Sequence, residues 1–391
     1  MKIGIDARTI LNPEKGDAIG VGHYTYQLIR HLLDYDQKNQ YVLFFDFRVR
    51  EKDARKFIRP NSIIRFYPFS DYGKYLPGIY NEILGLATLQ KEKLDILHST
   101  SPLSRIPSVY RGKTVMTFND LSIYKIPECF SKIKKAKEKT NYSLMFRKVD
   151  KIIAVSETVK KDLIEIFGGG EEKIKVIYNG LDERFFETKE EFESSNVLKK
   201  MGISKKYILF LGTLEPSKNI TRLLQSFAEF KKQYSKTSTQ SGKFDYQLVL
   251  AGKRGWLAEE YKQIASDLGL VKDVVFTGYI IGDDLKPLFK NAEFFVMPSL
   301  YEGFGVTVLE AFASGTPAIV SNVSSLPEIA GEAAYFINPL DTKNIAETFL
   351  KFSQDENLRE EYRRKGLERA KNFSWEKCAR ETLEVYKSFE K

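Results

Sequence analysis

The chain has 391 residues, 42% of them hydrophobic, and a formal net charge of +9. That length exceeds one ordinary core and suits two domains, and the apolar content excludes a disordered chain. The basic balance fits a polyanionic partner, whether a nucleotide diphosphate, an acidic membrane surface or a nucleic acid, without choosing among them.

Cys129 and Cys378 stand far apart and in no metal spacing, and the three histidines are too few for a histidine-based metal centre. A disulfide framework is therefore not expected, and a reducing compartment is. Residues 1–6 open directly on a strand pattern, with no signal peptide and no long apolar span. The expected location is cytoplasmic, with docking on the inner face of the cell membrane left open.

Residues 2–5 read as a buried strand, followed by a loop over 12–22 that ends Gly20-Val21-Gly22-His23. Leu28, Ile29, Leu32 and Leu33 have helical spacing. The Gly-x-Gly lacks the third glycine of a dinucleotide fingerprint, and His23 reads either as a functional residue or as part of a flexible helix entry. Residues 41–45 form the next strand, and 48–59 a charge-rich, solvated helix. Residues 94–98 read as a strand ending in His98. Ligands collect at the carboxyl ends of parallel strands, so His98 either lines a cleft or is structural. Residues 114–118 run into Asn119-Asp120, where Asp120 either serves a site or caps a turn.

Residues 131–151 carry Lys132, Lys134, Lys135, Lys137, Lys139, Arg147, Lys148 and Lys151, interleaved with Tyr142, Leu144, Met145 and Phe146. This is either a basic amphipathic helix that docks on acidic lipid or a solvated helix with an ordinary buried side. Residues 151–156 read as a strand, 157–167 as a helix stopped by Gly168, Gly169 and Gly170, and 175–180 as a strand-like run. The polar stretch 187–200 reads as a linker.

The alternation then restarts. Strands are predicted at 207–213, 247–252, 274–279, 294–298, 317–320 and 334–337, with a polar surface loop over 235–245 and helices from 342 onward. Lys218 stands at a strand-to-helix junction, where an anion would sit. Between the strands at 294 and 317 lies Glu302-Gly303-Phe304-Gly305, then Val306, Leu309 and Ala313 at helical spacing, then Gly315 and Pro317 as a stop signal. Gly303 and Gly305 bare the backbone N–H groups at the positive end of a helix, which favours phosphate. Glu302 and Glu310, if both helical, stand about 12 Å apart along the axis. That is too far for an acid/base couple on one bond, and it suits two carboxylates gripping hydroxyls of one elongated ligand.

This run, with Gly315-Thr316-Pro317 in register, resembles the Glu-x7-Glu element of the retaining glycosyltransferases of family 4. The resemblance implies an α/β chain of GT-B fold, two doubly wound Rossmann-like domains facing an interdomain cleft. Residues 1–186 would form the acceptor-side domain, 201–373 the nucleotide-sugar domain, and 374–391 a helix packing back on the first. It further implies that Glu302 contacts the transferred sugar, Glu310 the ribose and Lys218 the donor diphosphate. Gly303, Phe304, Gly305 and Val306 would cradle the donor, and Tyr279 would lie beside the base.

The loop at Gly20, Gly22 and His23 would lie close to the donor and acceptor; the family often has Arg where this chain has His23. Thr213 stands where the family often has another Arg, and Arg254 could compensate. At 119–120 the family has His-Asp, whereas this chain has Asn119-Asp120. Asn cannot take a proton near neutral pH, so the leaving phosphate is the expected proton acceptor.

Residues 4–9 and 213–219 resemble bacterial mannosyltransferases of surface polysaccharide assembly. The implied co-substrate is GDP-mannose, with UDP-sugars close behind. The implied acceptor is a saccharide or a lipid-linked saccharide, and the transfer is expected to need neither metal nor cofactor. A nucleotide-sugar epimerase of the same fold and a noncatalytic nucleotide-sugar or nucleic-acid binder are the alternatives. The intact set of Lys218, Glu302 and Glu310 speaks against the binder, so no nucleic-acid partner is expected.

Overall fold

A computed structural model describes residues 1–11, 20–67, 81–186, 194–237, 244–253, 255, 257–280 and 282–390. The chain divides into two compact units, Met1–Gly180 with Ser374–Lys391, and Leu181–Phe373.

The first unit holds strands β1 Lys2–Asp6, β2 Gln40–Asp46, β3 Ser62–Tyr67, β4 Ile96–Ser99, β5 Lys113–Phe118, β6 Lys151–Ala154 and β7 Ile174–Val176. They form one parallel sheet in the order β3-β2-β1-β4-β5-β6-β7. Parallel sheets are covered on both faces, which is why the central strands are near-continuous apolar runs. The helix Gly20–Tyr35 buries Tyr24, Leu28, Ile29, Leu32 and Leu33. The helix Trp375–Lys387 brings Trp375, Cys378, Leu383 and Tyr386 into the same core as Ile3, Ile5 and Leu28. At Gly180 the backbones meet: a Cβ there would stand 2.1 Å from the Trp375 nitrogen.

The second unit holds β8 Lys206–Leu211, β9 Tyr246–Ala251, β10 Val274–Gly278, β11 Phe294–Met297, β12 Ala318–Ser321 and β13 Ala334–Ile337. Its parallel sheet runs β10-β9-β8-β11-β12-β13. Strand order therefore reverses between β1 and β4 in the first sheet and between β8 and β11 in the second. In open α/β sheets ligands bind outside the carboxyl ends of strands at such a reversal.

Two local expectations need correction. Residues 48–59 do not form one solvated helix; a single turn at Glu51–Ala54 passes into a 3-10 turn at Arg55–Phe57, with Ala54 and Phe57 buried. Strand β3 has no counterpart in the sequence pattern, because it is half-exposed and carries Arg65 paired to Glu92. The loop over 12–19, residues 187–193 of the expected linker and residues 238–243 of the polar loop lie outside the described residues; the rest of the linker stretch, Ser194–Lys200, is a helix.

Candidate active site

In the second unit the segments that follow β8 and β11 are stitched together. After β8 the chain makes a 3-10 turn at Pro216–Lys218, and Asn219 takes a left-handed conformation before the helix Ile220–Thr237. The Asn219 amide donates to the carbonyls of Pro298 at 3.1 Å and Pro339 at 2.6 Å. The Leu300 N–H donates to the Ser217 carbonyl at 2.8 Å. These bonds carry Lys218 to Glu302: its Nζ lies 2.7 Å from Glu302 Oε1.

The Ser299 hydroxyl donates to that same Oε1 at 2.7 Å. Among the described residues Oε2 accepts no hydrogen bond. The Glu302 main chain is held as well. Its N–H donates to Ser324 Oγ, and its carbonyl accepts from the Ser325 hydroxyl, each at 2.9 Å. Ser324 has φ +53°, a conformation that costs a non-glycine residue about 1–3 kcal/mol.

The helix after β11 begins at Val306, so Glu302 precedes it and Glu310 lies inside it, as expected from the sequence. Gly305 has φ +92°, a conformation that favours glycine, and a Cβ there would also press within 2.8 Å of Leu326 Cδ2. No side chain caps the helix and no acidic residue occupies its first turn. Its leading N–H groups and positive dipole end therefore suit an anion.

Glu310 is buried, and that burial pushes its carboxyl up to about 8, against the opposing pull of Arg184 and with a further push from Asp182. Near neutral pH it is largely protonated and can donate as well as accept. Gly303 lies in the turn between Glu302 and the helix. Phe304 does not present its ring to a donor; it is 4% exposed and packs edge-on against Phe373.

The loops after β8, β9 and β10 close on one another through glycine. A Cβ at Gly252 would lie 2.0 Å from the Gly212 carbonyl oxygen, and the Gly252 N–H donates to the Gly278 carbonyl at 2.9 Å. Thr213 beside them is half-buried. Tyr279 is 46% exposed, whereas Ile280 packs inward. Arg254 lies outside the described residues.

In the first unit, Asn119 Nδ2 donates to the Thr100 carbonyl at 2.9 Å, just past β4. Asp120 accepts the Ser122 N–H at 2.7 Å and the Ser122 hydroxyl at the entry to the turn Ser122–Lys125, whose N-cap position is Leu121. Gly20 and Gly22 form the first turn of their helix. His23 is buried edge-on to Trp375, with ring centroids 6.0 Å apart.

A cleft-lining role for His98 is overturned. The residue is fully buried, with Nδ1 2.6 Å from Tyr386 Oη and Nε2 2.9 Å from Thr117 Oγ1. Burial lowers its pKa to about 3, so it stays neutral. Its work is to tie the helix Trp375–Lys387 to the sheet.

Sequence reasoning missed the serines around Glu302. It also missed a partly open cavity of about 10 Å³, room for a water-sized group, lined by Asp6, Arg8, Phe44, Tyr67, Ser99 and Arg105, among other residues. There Arg8 is paired to Asp6 and lies 4.1 Å over the Tyr67 ring. Only the run at residues 4–9 drew attention to that corner. Among the described residues no group of three or more His, Cys, Asp or Glu could hold a metal ion, and no helix is long and apolar enough to cross a membrane.

Residues 19–185 match the family model described as Glycosyltransferase Family 4, and residues 193–369 the one described as Glycosyl transferases group 1. The O-antigen chain mannosyltransferase B of Escherichia coli is 33% identical over 278 residues, 70% of either chain. The O-antigen chain mannosyltransferase RfbU of Salmonella typhimurium is 30% identical over 270 residues, 68% of this chain and 67% of that one. Among solved structures, the sucrose-phosphate synthase of Thermosynechococcus elongatus superposes with a TM-score of 0.78 at 18% identity, covering 99% of this chain and 98% of that one. Anabaena HepE in complex with UDP and glucose superposes with a TM-score of 0.74 at 19% identity, covering 99% of this chain and all of the other. At such identities the superpositions speak to the fold alone.

Proposed function

The chain belongs to the GT-B glycosyltransferases, and on that footing we propose that it transfers mannose from GDP-mannose to a saccharide acceptor with retention at the anomeric carbon. The observation that carries this reading is the meeting of Lys218, Glu302 and an uncapped, glycine-led helix mouth where the second sheet reverses its strand order. The mannosyl group rests on the relatives named as O-antigen mannosyltransferases. A UDP-sugar donor is the second reading; a neighbour of the same fold was solved with UDP and glucose.

Lys218 has three N–H donors. Its Nζ engages Glu302, and its positive charge would face the diphosphate oxygens beside the N–H groups at Val306. Glu302 Oε2 takes a sugar hydroxyl, and protonated Glu310 takes the ribose. The bond from the anomeric carbon to the phosphate oxygen breaks and its electron pair leaves with the nucleotide. The acceptor oxygen bonds to that carbon on the same face, and its proton passes to the departing phosphate. Asn119 orients the acceptor and takes no proton. No step calls on a metal, so turnover persists in excess EDTA.

A thermal-shift screen against GDP, UDP, GDP-mannose and UDP-glucose tests the reading. The preferred nucleotide at a hundred times its Kd stabilises the folded chain by about 2.7 kcal/mol. Lys218→Ala lowers kcat by about 10²–10³. A flat response to all four ligands sinks the reading.

The helix Lys132–Lys148 buries Tyr142, Met145 and Phe146 and exposes Ile133 and Leu144 among its lysines without a continuous apolar stripe, so docking on anionic lipid, the further partner proposed, would rest on its charge alone. Replacing Lys132, Lys134 and Lys137 with Glu abolishes co-sedimentation with phosphatidylglycerol vesicles if that is so.

A further inference from the structure

We propose that Ser324, with Ser299, is a positioning residue for Glu302, and that the left-handed backbone at Ser324 exists to present its hydroxyl to the Glu302 main chain. The proposal rests on the reading of Glu302 as the group that grips the donor sugar.

Among the described residues three non-glycines have positive φ, Lys93, Asn219 and Ser324. Two of them stand in this site. Asn visits the conformation more readily than most residues, and Asn219 uses its amide to reach the distant carbonyls of Pro298 and Pro339. Serine has no such ease. Glycine at 324 would relax the backbone, but it would leave the Glu302 N–H without the Ser324 oxygen that accepts it at 2.9 Å. Strain at a functional residue is informative when an observed bond explains why it is tolerated, and this bond does.

The neighbouring contacts make a clamp. Consecutive hydroxyls, Ser324 and Ser325, bond the N–H and the carbonyl of Glu302. Ser299, itself fully buried, and Lys218 fix one carboxylate oxygen. With the main chain and Oε1 held, the direction of Oε2 is set. An acid that must meet one hydroxyl of a bound sugar gains from such fixing, since a misplacement of about 1 Å can cost a hundredfold in rate.

The test uses the full-length protein and whichever donor it turns over, GDP-mannose or UDP-glucose, with nucleotide release as readout. Ser324→Gly is expected to keep or raise Tm, to leave the Kd for the free nucleotide within twofold, and to lower kcat by between about ten- and a hundredfold. Ser324→Asn, which tolerates the backbone and supplies a side-chain carbonyl acceptor, recovers part of the loss. Ser299→Ala lowers kcat in the same sense. In a Glu302→Gln background Ser324→Gly adds no further loss.

Wild-type kcat in Ser324→Gly, while Glu302→Gln is impaired, overturns the positioning role and leaves the glycosyl-transfer reading standing. A parallel collapse of nucleotide affinity and Tm in Ser324→Gly overturns it too, since the hydroxyl is then merely structural. Undiminished turnover in Glu302→Gln removes the reading of Glu302 itself.

Discussion

Glu310 is a carboxylic acid kept from water, and its charge state follows chiefly from that. Its pKa of about 8 in the folded chain lies above the ordinary carboxyl value, so the folded state binds a proton that the unfolded state has released. Its contribution to stability is full below about pH 4.5 and is lost as the pH rises through 8. Glu310→Gln therefore gains Tm relative to the wild type as the pH rises from 5 to 8, which a pH series of thermal melts measures; a constant difference across that range contradicts the assignment. Glu302 and Lys218 stood out in the sequence because glycines, a helix stop and a strand-to-helix junction frame them, and the structure brings the two side chains within 2.7 Å. Ser299, Ser324 and Ser325 were not, because a hydroxyl in a loop follows no periodicity, and what marks Ser324 is a torsion angle. His98 misled because a strand-end position does not reveal depth. Strand β4 lies between β1 and β5, and His98 sits level with Ile5 and Val115 in the interior.

At the scale of elements, the helix Trp375–Lys387 is part of the first unit's core rather than an appendage. Tyr386 is fully buried and bonds His98. Tyr386→Ala should cost about 3–5 kcal/mol, as large aromatic truncations do, and lower the melting temperature by on the order of 10 °C. Gly180→Ala should be destabilising by a different route, because its Cβ meets backbone rather than a side chain that can turn away. Calorimetry on both variants checks this; a Gly180→Ala protein with wild-type Tm would contradict the close approach. Most strands could be read from sequence, since parallel strands covered on both faces are apolar throughout. Strand β3 escaped because its exposed edge carries Ser62 and Arg65. The short turns at 51–57 escaped because charge density suggests a solvated helix and says nothing of two buried anchors.

For the whole molecule, both sheets follow one plan, with the strand order reversing at β1/β4 and at β8/β11. The proposed donor chemistry falls at the second reversal. Hydrogen exchange with saturating GDP should accordingly slow at residues 212–219 and 299–313, which carry Lys218, Glu302 and the helix mouth, and stay unchanged at 375–387. Protection centred on the cavity of Asp6, Arg8 and Tyr67 would instead move the nucleotide to the first sheet.

The manner in which the first unit is closed has a consequence for biogenesis. Residues 375–387 complete a core that begins at Ile3, yet the ribosome releases them only after the whole of 181–373. Domains generally fold as units in the order of synthesis. Here the N-terminal half must wait, with the seat of Trp375 and Tyr386 uncovered, until translation has passed its neighbour. A nascent chain arrested before Ser374 would present that bare apolar seat to chaperones, and release of the arrest would bury it.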